Sequence, residues 1–423
     1  MDESLQQRLR KLGVIKGLAG LQPRATPDAD PASARPRATN LPGGEVTNEH
    51  GTFWLAQYTY PGSCLHGRHA IGALSELPAR ALELVGVPDL GRHPAFLDTE
   101  TTGLSGGTGT LAFLVGAGIW DGAQLVLHLI FMRRPEEEPA ALRYLSRVLS
   151  EATGLVTFNG RGFDVPILET RYILNRMMPE PLALPHLDLL TVARQLWRDH
   201  LASRALGQLE HHILGVERTG QDIDSGLIPW LYREYLESGD TSDMTRIFYH
   251  NEIDVLSLAS LLVHVARMVD APEQMSLAPA EWAGVGRVYD RVGREDEALA
   301  AWRRALSGEA GELAEPCASR LWEEMGLRCR RREAWDEALA IWDAWIAALP
   351  GAVTPLIEKA KYYEWSAHDL PAALVCTQEA VRRVERWPSG MRRYKMLAEV
   401  SHRRERLVRR LAQSESEMED GNE

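Results

Sequence analysis

Three apolar runs follow one another at 95–98, 111–119 and 124–131, and Asp121-Gly122, a pair suited to a tight turn, separates the last two. These read as hairpin-linked strands. A helical pattern over 137–150 comes next, then a short buried strand at 155–158 and a helix from Asp164 to Leu174. Hairpins giving way to alternating helix and strand specify an α/β domain, a mixed sheet flanked by helices. Apolar spacing predicts further helices at 189–197, 206–214, 228–236 and 244–266, and a strand over 52–61.

The first run ends in Asp98-Thr99-Glu100-Thr101. Side chains two apart on a strand share a face, so Asp98 and Glu100 can serve the same hard cation. A second acid, Asp164, follows the glycine-loosened turn Asn159-Gly-Arg-Gly-Phe163 at a strand-to-helix junction. A third segment, Tyr249-His250-Asn251-Glu252-Ile253-Asp254, lies in the 244–266 helix, where His250 and Asp254 are four apart and share a face. Singly, each acid suits a helix cap or a solvated turn equally well.

In this order the segments resemble the three motifs of the DEDD 3′–5′ exonuclease superfamily. Phe96-Leu-Asp98-Thr-Glu100-Thr-Thr-Gly103-Leu104 is similar to the first, Asn159 with Phe163-Asp164 to the second, and Asp254 with a proton-handling residue before it to the third. Ser105-Gly-Gly-Thr-Gly-Thr110, Leu214-Gly-Val-Glu-Arg218 with Asp222-Ile223, and His250-Asn251 resemble its YprB-type, ribonuclease-H-like branch in particular. The likeness spans roughly 47–270. It implies a ribonuclease-H-like fold and a metal-dependent nuclease, a 3′–5′ exonuclease on single-stranded or frayed DNA or RNA.

The implied metal ligands are Asp98, Glu100, Asp164 and Asp254, around two Mg²⁺ or Mn²⁺ ions about 3.5–4 Å apart. Thr99, Asn159, Phe163 and Asn251 would touch substrate. The third motif departs from the superfamily pattern, which has Tyr four or His five residues before the Asp. Here His250 stands at minus four and Tyr249 at minus five. On a helix these lie about 40° and about 140° from the Asp direction, so His250 is expected to handle the proton on the attacking water, with Tyr249 second.

Composition limits the alternatives. A net charge of −12 argues against indiscriminate coating of nucleic acid. Of 47 basic residues 42 are arginine, and Arg161, Arg171, Arg194, Arg198 and Arg204 lie near the motifs, where they can hold phosphates. Four unpaired-looking cysteines suggest a reducing compartment. No apolar run approaches the ~20 residues of a membrane span. With no signal-peptide pattern at the start, a cytoplasmic protein is expected. Cys64, His66 and His69 offer a possible metal cluster lacking a fourth ligand. The loop 105–110 lacks the Gly-Lys-Ser/Thr ending of a nucleotide-binding P-loop.

After Asp270 the pattern becomes all-helical and self-similar. Asp296-Glu-Ala-Leu-Ala-Ala-Trp302 recurs forty residues on as Asp336-Glu-Ala-Leu-Ala-Ile-Trp342. This resembles a tetratricopeptide-type repeat, which commonly binds protein partners. The expected division is a basic helix and Pro/Arg/Ala-rich linker at 1–45, the exonuclease-like domain at 46–270, helical repeats at 275–411 and an acidic disordered tail at 412–423. Two rivals remain: a catalytically silent scaffold binding nucleic acid or protein, and a carboxylate-pair glycosidase, which would not need Asp164, Asp254 and His250 in this order.

Overall fold

The computed structural model describes residues 41–87, 89–103, 109–308 and 313–420. The basic helix and most of the linker, and residues 105–108 of the glycine-rich loop, lie outside the described residues. Strands β1 (Gly44–Asn48) and β2 (Gly51–Pro61) form a hairpin, followed by a small two-stranded ribbon, β3 (Leu65–His66) and β4 (His69–Ala70), and helix α1 (Ala79–Val85). β1 was not legible: it straddles the expected linker boundary at 45, and its alternating exposed and partly exposed residues offer no apolar run. The meander β5 (Pro94–Thr101), β6 (Ala112–Trp120) and β7 (Gln124–Phe131) then leads through α2 (Glu138–Leu149), β8 (Gly154–Thr157) and α3 (Asp164–Leu174) to β9 (His186–Asp188).

The seven strands are ordered β1-β2-β7-β6-β5-β8-β9. Pairing is antiparallel as far as β5, which joins β8 in parallel, and β8 joins β9 in parallel. β6 is buried along its whole length, as a central strand covered on both faces must be. α4 (Leu189–Leu196), α5 (Leu206–Leu209), α6 (Ile228–Ser238) and α7 (Ser242–Asp270) complete this part. The helix expected over 206–214 is α-helical only to Leu209; Glu210–Leu214 is a π-turn that ends on Gly215 at φ 67°. α7 packs its apolar stripe across β5, β6 and β7, which brings its N-terminal half over the acidic end of β5.

Beyond α7 the chain runs through α8 (Pro279–Arg291), α9 (Glu295–Leu306), α10 (Glu315–Arg331), α11 (Trp335–Ala348), α12 (Thr354–Trp365), α13 (Leu370–Glu385) and α14 (Met391–Asp420). α8 packs on α9, α10 on α11 and α12 on α13, as antiparallel pairs. The sequence repeat has a structural counterpart. Gly286 and Gly326 admit the indole rings of Trp302 and Trp342, and a Cβ at either glycine would lie 2.2 or 2.5 Å from the indole nitrogen. Residues 412–420 of the expected disordered tail at 412–423 instead continue α14, since no Gly or Pro interrupts them. No helix among the described residues is long and apolar enough to cross a membrane.

Candidate metal centre

Asp98 and Glu100 sit on one face of β5, the strand at which antiparallel pairing changes to parallel. Asp164 opens α3, and His250 and Asp254 come from α7. These five groups line one cavity of about 190 Å³, together with Thr99, Asn159 and Phe163. Glu100, His250 and Asp254 offer donor atoms lying within 4.8 Å of one another. The imidazole Nε2 of His250 lies 3.8 Å from Glu100 Oε1 and 3.6 Å from Asp254 Oδ2. Tyr249 is turned elsewhere: its hydroxyl accepts the Thr219 amide at 3.0 Å, and it does not line the cavity.

Outer contacts hold three of the four acids. Asn251 Nδ2 donates to Asp98 Oδ2 at 2.7 Å, and Thr99 Oγ1 donates to Asp164 Oδ1 at 2.5 Å. Arg218 Nη2 donates to Asp254 Oδ1. In each carboxylate the second oxygen is outside that contact, as expected of ligands oriented by a supporting shell. Asn251, expected to touch substrate, is fully buried behind Asp98, and its carbonyl faces Gly116 of β6. A Cβ at Gly116 would lie 2.0 Å from that oxygen, so only glycine lets α7 and β6 approach this closely here.

The second motif is fixed from β9. Asp188 accepts the amides of Asn159 (2.8 Å), Arg161 (3.2 Å) and Leu190 (3.1 Å), tying the turn to the N-terminus of α4. Asn159 adopts φ 68°, a left-handed conformation that asparagine tolerates well. Gly160 is obligatory, because a Cβ would meet Thr157 Oγ1 at 2.4 Å.

Burial and mutual repulsion leave the carboxyls reluctant to ionise. Asp98 is raised well above the usual range by burial and by Asp254, Glu100 and Asp164. Burial also pushes Glu100 up to about 8 against the pull of His250, and Asp164 up to about 6 against its bond from Thr99. Asp254 is raised by burial despite His250 and Arg218. His250 is raised: burial opposes its charge, but Asp254, Glu100 and Asp222 together outweigh that. Buried oxygen donors that lack enough positive charge fit a hard divalent cation.

Sequence reasoning missed the contacts that Arg218 and Asp222 make with the site, although both lie in a segment it singled out. Arg218 forks onto buried Glu210 at 2.6 and 2.7 Å, while its Nη1 reaches Asp222 at 3.2 Å. Asp222 Oδ1 in turn lies 2.8 Å from His250 Nδ1. Among the arginines expected at phosphates, Arg171 is engaged by buried Glu138, at 2.5 and 2.6 Å. Among the described residues Cys64, His66 and His69 do not gather as a group of metal donors; His66 bonds Ser257 at 2.8 Å and His69 bonds His264 at 3.0 Å, both on α7.

Residues 95–266 match the family model of the RNase H superfamily. The chain is also 28% identical over 290 residues, 68% of each chain, to a protein of Bacillus subtilis (strain 168) named "Uncharacterized protein YprB". The matched segment begins on β5 and ends in α7, so it contains all five cavity-facing groups. Residues 95–266 are thus an RNase H superfamily domain, followed in this chain by a helical C-terminal region.

Proposed function

We propose that the protein is a metal-dependent nuclease, a 3′–5′ exonuclease acting on single-stranded or frayed ends of DNA or RNA. The observation that carries this reading is the convergence of Asp98, Glu100, Asp164, His250 and Asp254 on one small cavity, short of the positive charge that would balance it. Its residues fit two Mg²⁺ or Mn²⁺ ions, with Asp98, Glu100, Asp164 and Asp254 as ligands. Bound there, divalent ions would supply an activated water and neutralise charge building on the phosphate.

The chain's own groups do the rest. His250 presents Nε2 to the cavity while Asp222 and Arg218 both reach Nδ1; with bound cations in place of its own charge, the neutral ring with its proton on Nδ1 toward Asp222 would take a proton from the attacking water at Nε2. Phe163 offers an apolar surface to a terminal base or sugar, and Asn159 offers hydrogen bonds beside it. Tyr249, turned toward Thr219, has no part in the proton transfer. The helical repeats are assigned a protein partner, and the free cysteines accord with a cytoplasmic setting.

The test is cleavage of 5′-labelled single-stranded DNA and RNA oligonucleotides with Mn²⁺ or Mg²⁺, comparing wild type with Asp98→Ala and Asp254→Ala. A shortening ladder lost in both variants and in chelator supports the reading. Binding of the oligonucleotides with no cleavage under any metal condition would replace it with a silent scaffold.

A further inference from the structure

The stretch from Glu210 to Asp222 approaches the cavity from outside the sheet. Gly215, in the left-handed region, reverses the chain after the π-turn and returns Arg218 toward Glu210. The β3–β4 ribbon braces this turn, with the Arg68 amide donating to Leu214 O at 2.9 Å. Glu210 is 1% exposed, and both its oxygens are taken by the guanidinium fork. A planar fork held at one end leaves its remaining donors in fixed directions. Here those directions meet Asp254 Oδ1, Asp222 Oδ1 and, at 3.0 Å, Nδ1 of His250 itself. Asp222 passes the constraint on to His250 Nδ1.

We propose that Glu210, Arg218 and Asp222 form a positioning relay that aims Asp254 Oδ2 at the metal and His250 Nε2 at the attacking water. Arg218 sets the rotation of the Asp254 carboxylate, and Asp222 and Arg218 together set the ring of His250 through Nδ1. One guanidinium thereby registers a metal ligand and the proton acceptor against the same buried acid. Neither Arg218 nor Asp222 is a catalytic residue, since each acts through its neighbour. The inference rests on the metal-dependent reading above.

The test measures Mn²⁺ binding to the full chain by electron paramagnetic resonance, beside steady-state cleavage of a single-stranded oligonucleotide. Arg218→Met is expected to weaken Mn²⁺ binding about 10-fold or more, with the KM for oligonucleotide unchanged. Asp222→Asn, at a partly exposed position that folding should tolerate, is expected to lower kcat about 10-fold at saturating Mn²⁺, again with KM unchanged. Wild-type Mn²⁺ affinity and kcat in the folded fraction of both variants would overturn the relay. A wild-type protein that neither binds Mn²⁺ nor cleaves would instead overturn the metal-dependent reading itself.

Discussion

Two buried acidic sites in this molecule are built on opposite plans. In the helical region Glu364 of α12 is 1% exposed and receives three arginines of α14: Arg403 at 2.8 Å, Arg406 at 2.7 Å and Arg410 at 2.8 Å. Two of these guanidiniums also lie over the Trp365 ring, at 5.2 and 6.0 Å. In the RNase H superfamily domain, Asp98, Glu100, Asp164 and Asp254 face one cavity where, among the described residues, the cations in contact are Arg218 and, when protonated, His250, and Glu210 and Asp222 draw on those same two. Burying a charge costs several kcal/mol unless partners offset it. Surplus cation marks a joint between helices, whereas the deficit in the cavity, met by carboxyls that hold their protons, fits the cation site proposed above.

The strongest way to break this contrast is to swap the expected phenotypes. His250→Ala should lower kcat by about 10²–10⁴-fold, measured on labelled oligonucleotides. Glu364→Gln should leave kcat unchanged, yet lose about 3 kcal/mol in urea denaturation, because three arginines then share one neutral amide. Activity loss in the second variant at full folding would contradict the division of roles.

A subtler contrast lies in pH. Glu100 is pushed up to about 8, far above its unfolded range, so the metal-free fold holds a proton that the unfolded chain has already released. Stability from this group is full below the unfolded value and is lost as pH rises toward 8. Glu100→Gln removes that loss. Its advantage in metal-free melting temperature over wild type should therefore grow from pH 5 to pH 8 and then level off; a constant difference would contradict the assignment. The smallest expected effect is Tyr249→Phe, which gives up one partly exposed hydrogen bond worth about 0.5–1.5 kcal/mol and should leave cleavage rates unchanged.

The local part of this architecture was legible because its signals are local. Alternation on β5 put Asp98 and Glu100 on one face, and the 3.6-residue period set His250 rather than Tyr249 toward Asp254. The succession of the β5–β7 meander, α2, β8 and α3 followed from hairpins giving way to helix–strand alternation. The supports were not legible, since each depends on contacts distant in sequence. Asn251 reaches Asp98 across 153 residues and needs Gly116 to do so, and Arg218 reaches Asp254 across 36. β9 is only three residues long, too short for any period, yet its Asp188 fixes the Asn159 turn.

The central claim, that the cavity's four acids hold a cation, is tested most directly by thermal melting of wild type and Asp98→Asn with and without saturating Mn²⁺. The account predicts that Mn²⁺ raises the wild-type Tm, and that Asp98→Asn is already more stable without metal and gains little from it. An unchanged wild-type Tm in Mn²⁺, or the same rise in both proteins, would contradict it.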